Sequence, residues 1–288
     1  MEEKEKIINK VLGNYIKEGD MSSKSLLQLM NYSLLGKGKR IRPMLVLTVA
    51  EVLGKNYRLL LPAACGIEMI HVSSLILDDL PCMDDALTRR GKPALHRVKG
   101  DANAILASYA LLMEGVGLIV QNAENLKIGR NKISRIIKGI SGAVGLKGIS
   151  LGQFLDLEFR NKDCSLSDVK KIHYYKTASL FAASLEISAI ISGANEKQIA
   201  TLKAYGQTLG LAFQIKDDLL GYEKKPRDLG KLSLKGEISP NYARLLGKEN
   251  SERKIKELIK KACRCLDIFG KKAETLREFT YLIENREK

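Results

Sequence analysis

Asp78, Asp79, Asp84 and Asp85 crowd one short stretch, Asp78-Asp-Leu-Pro-Cys-Met-Asp-Asp85, and Arg89, Arg90 and Lys92 follow at once. Carboxylates this close repel one another and call for a compensating cation. Oxygen-only donors at this density suit a hard divalent ion. Mg²⁺ is favoured because it takes one or two carboxylates and completes its shell with water and phosphate oxygens. Guanidinium groups next to such a site match a phosphate or diphosphate, which they grip as a fork. One reading is therefore a metal-bridged diphosphate bound through these four carboxylates. The other is a solvated acidic turn, neutralised by the basic turn after it.

The lead-in separates the two readings in part. His71, Ser74 and Asp78 recur at helical spacing on one face, and Pro81 then interrupts the helix. Asp84 cannot share that face on an unbroken helix. To serve one metal, the chain must leave the helix near Pro81 and return Asp84 towards Asp78.

Three further groups could take part. Gly36-Lys-Gly-Lys-Arg-Ile-Arg-Pro43 fronts an apolar helix with glycines and basic side chains, a pattern suited to anions and equally to a plain helix-entry loop. Gln153 and Asp156 share one face, and Lys176-Thr177 sets a cation inside an apolar region, where a lysine commonly snorkels to solvent. Gln214, Asp217 and Gly221 share another face, next to Asp218 at the end of a second long apolar run. An apolar helix ending in Asp-Asp thus occurs twice.

The elements that must position these groups read as helices. Long 3.6-residue patterns, six prolines and no tryptophan argue for an all-α chain. The pattern places helices over 2–19, 22–35, 43–54, 101–126, 130–145, 196–221, 249–262 and 272–286. Ser22-Ser23 and Ser165 with Ser167 offer N-caps. The glycines from Gly139 to Gly152 allow a close crossing or a kink, and 222–241 reads as a loop or lid. No linker marks a domain boundary, so residues 1–288 are expected to form a single domain.

The 288 residues suffice for a large core. A net charge of +15 raises nucleic acid or an anionic membrane as partners. The lysines are scattered among acids, however, and no basic stripe carries spaced aromatics, so no nucleic-acid partner is expected. The five cysteines have neither a paired framework nor zinc spacing, which fits reduced thiols. The charged N-terminus lacks the apolar stretch of a signal peptide, and no uncharged apolar run reaches roughly 18 residues. The expectation is a cytoplasmic protein without stable membrane insertion.

With these motifs in place, the chain resembles the trans-isoprenyl diphosphate synthases, the polyprenyl synthetases that include farnesyl and geranylgeranyl diphosphate synthases. The resemblance runs from the basic loop at 36–43 to Leu276–Arg286, and Asp78…Asp84 followed by Arg89-Arg90-Gly91 matches the family's first aspartate-rich motif. It implies an isoprenoid-synthase-type helical bundle around a deep central cavity, normally a homodimer. The implied reaction is Mg²⁺-dependent condensation of isopentenyl diphosphate with an allylic diphosphate. By matched position, Asp78 and Asp84 would bind Mg²⁺ on the allylic diphosphate, with Arg89, Lys176 and Lys231 on the same group. Lys39, Arg42, His71 and Arg90 would hold isopentenyl diphosphate. Thr177, Gln214 and Gln153 would lie near the reacting carbons, and Asp217, beside Asp218, would bind a further Mg²⁺. Ser73 and Ser74, where short-product relatives often carry an aromatic ring, imply geranylgeranyl over farnesyl diphosphate.

The second motif departs from the family's Asp-Asp-x-x-Asp, with Gly221 at its last position, and Glu237 stands where a lysine is usual. Two alternatives follow. One is a class I terpene synthase, which ionises the allylic diphosphate without isopentenyl diphosphate; the basic residues at 39, 42, 71 and 90 oppose it. The other is a weakly active or non-catalytic subunit of a heteromeric synthase, which the intact first motif opposes.

Overall fold

Polar caps and glycine breaks divide the long apolar helical patterns into a succession of helices. The computed structural model describes residues 2–15, 23–223 and 239–286. In order these form α1 (Glu2–Tyr15), α2 (Lys24–Leu34), α3 (Ile41–Val52), α4 (Leu61–Asp78), α5 (Leu95–Lys99), α6 (Asp101–Asn125) and α7 (Arg130–Val144). They continue as α8 (Ile149–Glu158), α9 (Leu166–His173), a π-helical turn (Tyr174–Ala178), α10 (Ser179–Ile191) and α11 (Glu196–Glu223). The chain closes with α12 (Tyr242–Leu246), α13 (Lys248–Cys265) and α14 (Glu274–Glu284). Among the described residues the only strands are a two-residue hairpin, β1 (Thr88–Arg89) and β2 (Lys92–Pro93). The all-α expectation is met. Elsewhere helix ends shift by a few residues; residues 16–22, with the end of the helix expected over 2–19 and Ser22, and most of the loop expected at 222–241, with Lys231 and Glu237, lie outside the described residues.

Contacts group the chain into two compact units. One holds the chain through Leu47 and Asn56–Ile133; the other holds Thr48–Lys55 and the described residues from Ser134 onward. The first is built on α4, which is buried along most of its length. It crosses α6 at paired glycines: a Cβ on Gly66 would fall 2.5 Å from the Gly115 carbonyl oxygen. No other residue fits so close an approach. Polar ties fix the register, with Ser108 Oγ donating to the Ser73 carbonyl at 2.8 Å and Asn122 Nδ2 to the Leu59 carbonyl at 2.9 Å.

The second unit is built on α10, buried at every residue, and α11. Gly206 lets them touch, since a Cβ there would meet the Phe181 carbonyl oxygen at 2.8 Å. Tyr205 Oη bonds the Leu276 carbonyl at 2.8 Å and Thr280 Oγ1 at 3.0 Å, which fastens α14 to α11 in the core. The Ser165 cap forms as a full capping box with Asp168. Ser23 sits at the α2 N-cap, yet its hydroxyl makes no cap hydrogen bond.

Two helices approach membrane length, although no uncharged apolar run of that length occurs in the sequence. Tyr57–Asp78 and Asp101–Asn125 are each long and apolar enough to cross a membrane by length and composition. Each carries an interior glutamate, Glu68 and Glu114. α4 is the core helix of its unit. α6 turns one apolar row outward, with Ile105, Leu106, Tyr109 and Met113 between 47% and 66% exposed.

Candidate active site

In the first unit, α4 ends at the first aspartate pair. Leu80-Pro81 stops the helix, and a tight turn reverses the chain so that the Asp84 backbone N–H donates to the Asp78 carbonyl at 3.0 Å. Ala86 N–H closes the same turn on the Asp79 carbonyl at 3.1 Å. Asp84 is thereby returned to Asp78, as the sequence required, and both side chains keep partial exposure. Asp85 adopts a left-handed backbone with φ 43° and turns away to Arg97 at 2.5 Å.

Asp79 departs from its expected role as a metal ligand. It is 3% exposed and receives the Arg89 guanidinium as a fork, with Nε at 2.8 and 3.0 Å and Nη2 on Oδ1. Burial pushes its carboxyl above the usual range, and the negative charges of Asp78 and Asp84 add to this while Arg89 opposes it. Asp79 is the mount for Arg89. The guanidinium's Nη2 then stands 3.8 Å from Asp78 Oδ2, beside the acidic mouth.

The basic loop and the start of α3 build a second cluster. Arg42 Nη1 lies 3.3 Å from His71 Nε2. Burial, then the charges of Arg42, Arg90, Arg89 and Arg40, hold the His71 imidazole well below its usual pKa, so it is neutral near pH 7. Arg90, in a left-handed conformation with φ 54°, reaches Glu68 Oε1 with Nη2 at 3.1 Å. Its Nη1 is buried without a hydrogen-bond partner among the described residues. An orphaned buried guanidinium donor among arginines is a physical argument for an anionic ligand. Gly38 lets this arginine in: a Cβ at that position would lie 2.9 Å from Arg90 Cζ. The glycine's role here is to admit a side chain. Lys39 is exposed at the same loop.

Arg40, which motif reasoning passed over, organises this loop. Its Nη1 meets Glu68 Oε1 at 2.6 Å, Nη2 the Leu34 and Gly36 carbonyls at 2.8 and 2.9 Å, and Nε Asn9 Oδ1 at 2.8 Å. The signal available in sequence was Glu68, an acid inside an otherwise apolar helix that needs a buried cation.

Ser73 is also misplaced by the sequence reading. It is 4% exposed and faces α6, whereas Ser74 lies nearer the His71 and Asp78 side of α4, partly exposed. Ser73 is thus packed inside the unit, and Ser74 is the more accessible of the two.

The second unit carries the remaining groups. α8 and the π-helical turn press together at Gly152, where a Cβ would fall 2.1 Å from the Lys176 backbone nitrogen. The π turn, a local insertion of the kind often found at functional sites, sets Lys176 and Thr177 side by side. Lys176 Nζ is paired with Asp156 Oδ2 at 2.7 Å, so it does not snorkel. Gln153 lies one turn before Asp156 on α8.

Thr177 Oγ1 donates to Gln214 Oε1 at 2.6 Å, and Gln214 Nε2 donates to Asp218 Oδ1 at 3.1 Å. Asp218 Oδ2 receives the Tyr242 backbone N–H at 2.6 Å and stands 3.0 Å from His173 Nε2. With 7% exposure and both oxygens engaged, Asp218 anchors this network and is not a metal ligand, contrary to expectation. Asp217 projects to the other side, partly exposed, where Arg286 Nη1 donates to its Oδ1 at 2.5 Å. Lys231 lies outside the described residues.

No group of three or more His, Cys, Asp or Glu side chains forms a ready cation cage among the described residues. Asp78 and Asp84 nonetheless fit a hard divalent ion that shares its shell with a phosphate ligand: two carboxylates, no soft donor, and Arg89 beside them.

An all-α frame that joins paired carboxylates to an arginine-rich anion cluster defines an enzyme of diphosphate chemistry. A family model for polyprenyl synthetases matches residues 23–275, and the chain belongs to that family. The match runs through both units. Geranylgeranyl pyrophosphate synthase 4 of Arabidopsis thaliana is 38% identical over 263 residues, 89% of this chain and 70% of that protein. Farnesyl diphosphate synthase of Bacillus subtilis is 37% identical over 289 residues, 99% of this chain and 96% of its own. Among solved structures, an FPP/GFPP synthase from Zymomonas mobilis superposes with a TM-score of 0.86 at 30% identity, covering 98% of this chain and 96% of the other. A Helicobacter pylori geranyltransferase complexed with magnesium and isoprenyl diphosphate gives a TM-score of 0.83 at 29% identity, covering 98% and 94%.

Proposed function

We propose that this chain is a short-chain trans-prenyl diphosphate synthase, joining isopentenyl diphosphate to an allylic diphosphate with Mg²⁺ as its metal. The observation that carries the reading is the return of Asp84 onto Asp78 beside an arginine mounted on a buried aspartate. A second support is the separate Arg42, His71 and Arg90 cluster with its orphaned guanidinium donor. Two anion sites call for two diphosphates, which a terpene synthase would not need.

The chain's own residues account for each requirement. Bound Mg²⁺ would neutralise the diphosphate as the allylic C–O bond breaks. Arg89, fixed in advance by Asp79, meets the developing anion without reorganising. Lys176, held by Asp156, is a further cation, carried by the second unit. Thr177 spends its hydroxyl proton on Gln214, so the oxygen presents lone pairs to an allylic cation. This dipole stabilises the cation without the nucleophilic strength of water. The neutral His71 can donate a hydrogen bond to isopentenyl diphosphate and adds no charge to a site already rich in arginine. The alkene then attacks the allylic carbon and loses a proton, for which the departing diphosphate is the base at hand.

A small side chain at Ser74 leaves room for a growing chain and supports geranylgeranyl over farnesyl diphosphate. The outward apolar row of α6 supports a homodimer built on that helix, and sedimentation of wild type against Leu106→Glu tests it. A cytoplasmic location is proposed with it, tested by fractionation. The function itself is tested with labelled isopentenyl diphosphate and dimethylallyl, geranyl or farnesyl diphosphate, with and without Mg²⁺. Label in an elongated product supports the synthase. Consumption of the allylic substrate without label points to a terpene-synthase reaction, and no consumption of either points to a non-catalytic subunit.

A further inference from the structure

Asp217 is met by a cation that belongs to the protein. Arg286, just beyond α14, donates Nη1 to Asp217 Oδ1 at 2.5 Å and lays its guanidinium 4.6 Å from the centroid of the Phe213 ring. Phe213 lies one turn before Asp217 on α11, so one helix face supplies both a carboxylate and an aromatic platform for the same guanidinium. Arg286 is 19% exposed and Asp217 33%. An ion pair that is sheltered in part and stacked as well is stronger than an open surface pair.

The pair is not required to dock α14. The buried hydroxyl of Tyr205 already ties that helix to α11 through Leu276 and Thr280. Nor does packing dictate the missing carboxylate one turn further on, because a Cβ at Gly221 would meet nothing within 4 Å. The face from Phe213 to Gly221 therefore holds Asp217 and its arginine, with a glycine where a further acid would fit. Asp217 thus already meets a cation of the protein before any metal arrives.

We infer that Arg286 competes with divalent metal for Asp217, so that this carboxylate accepts a metal together with a diphosphate and not before it. The inference rests on reading Asp217 as a metal ligand. A divalent ion at Asp217 must displace the guanidinium or bear its repulsion. A diphosphate removes that obstacle by adding negative charge and giving the freed Arg286 a new partner. Metal binding at this wall is then coupled to substrate, and Arg286 is the residue that couples them.

The test uses the full-length protein and Mn²⁺ as a paramagnetic probe, titrated with and without inorganic diphosphate, for wild type, R286Q, F213L, D217N and R286Q/D217N. Circular dichroism and thermal melts check that each variant is folded. Without diphosphate, R286Q should bind an additional Mn²⁺ or bind it roughly tenfold more tightly than wild type, given the repulsion removed within a few ångströms of the site. F213L should gain a smaller part of this, and R286Q/D217N should lose the gain. With diphosphate, wild type and R286Q should converge. Equal Mn²⁺ curves for wild type and R286Q under both conditions, with D217N weaker than either, would overturn the inference and leave Asp217 as a ligand. If D217N changes no titration, the reading of Asp217 itself fails.

Discussion

Asp79→Asn separates a mount for Arg89 from a metal ligand. The Asp79 carboxylate is almost fully buried and holds Arg89 through three contacts with its two oxygens. An amide of the same shape keeps one acceptor, loses the negative charge and sets an N–H donor against the guanidinium. Breaking a fully buried ion pair typically costs about 3–5 kcal/mol. Arg89 is 32% exposed and can recover part of that in water, so the expected loss of stability is about 2 kcal/mol. Because Arg89 also loses its fixed position at the mouth, kcat should fall by a similar free energy, roughly thirtyfold. Urea unfolding measures the first effect and steady-state prenyl transfer the second, while Mn²⁺ titration with diphosphate should change by less than about threefold. An Asp79→Asn protein as stable as wild type but more than tenfold weaker in metal affinity would refute the assignment and restore Asp79 as a ligand.

Other expectations follow from the same geometry. Ser73→Phe should lower stability by about 1–3 kcal/mol through overpacking against α6, whereas Ser74→Phe should shorten the product; chromatography of the prenyl alcohols and melting curves would expose a reversal of these roles. Gly38→Ala crowds the Arg90 guanidinium, so it should raise KM for isopentenyl diphosphate about tenfold with little change in Tm, and a lowered Tm at unchanged KM would contradict this. Burial and the arginines depress the His71 pKa, so the unfolded chain binds more protons once pH drops below about 6.5. Stability should therefore fall as pH drops through that value, and His71→Gln should flatten the slope; parallel profiles for both proteins would count against the buried, neutral imidazole.

The sequence exposed those parts of the site where residue type and spacing determine backbone course. Pro81 after an apolar helix required a turn, and the Asp84-to-Asp78 hydrogen bond is that turn. The helical periodicity likewise located α6 and α7 within a residue and α11 within two. Spacing could not show which member of each aspartate pair is turned inward. Asp79 and Asp218 look like their neighbours in sequence, and only the arrival of Arg89, Tyr242 and His173 from elsewhere in each unit distinguishes anchor from exposed carboxylate. Ser73 and Ser74 were inseparable for a related reason: a register of 100° per residue decides which meets α6, and the helix was read without its partner. Arg40 was hidden among four basic residues because its task is set by Glu68 on α4 and by the Leu34 and Gly36 carbonyls, backbone groups that residue type does not reveal. The π turn at Lys176-Thr177 has no signature in residue type. Its necessity follows from Gly152 on a different helix.

The central physical claim is that Asp78 and Asp84, brought together by the turn at Pro81, act on one leaving diphosphate. A double-mutant cycle on kcat/KM for the allylic substrate measures this directly, comparing wild type, Asp78→Asn, Asp84→Asn and the double variant with labelled isopentenyl diphosphate in saturating Mg²⁺. If the two carboxylates share one metal-bound diphosphate, the double variant is barely slower than the worse single variant. Losses that multiply, so that each carboxylate contributes independently of the other, would contradict the account.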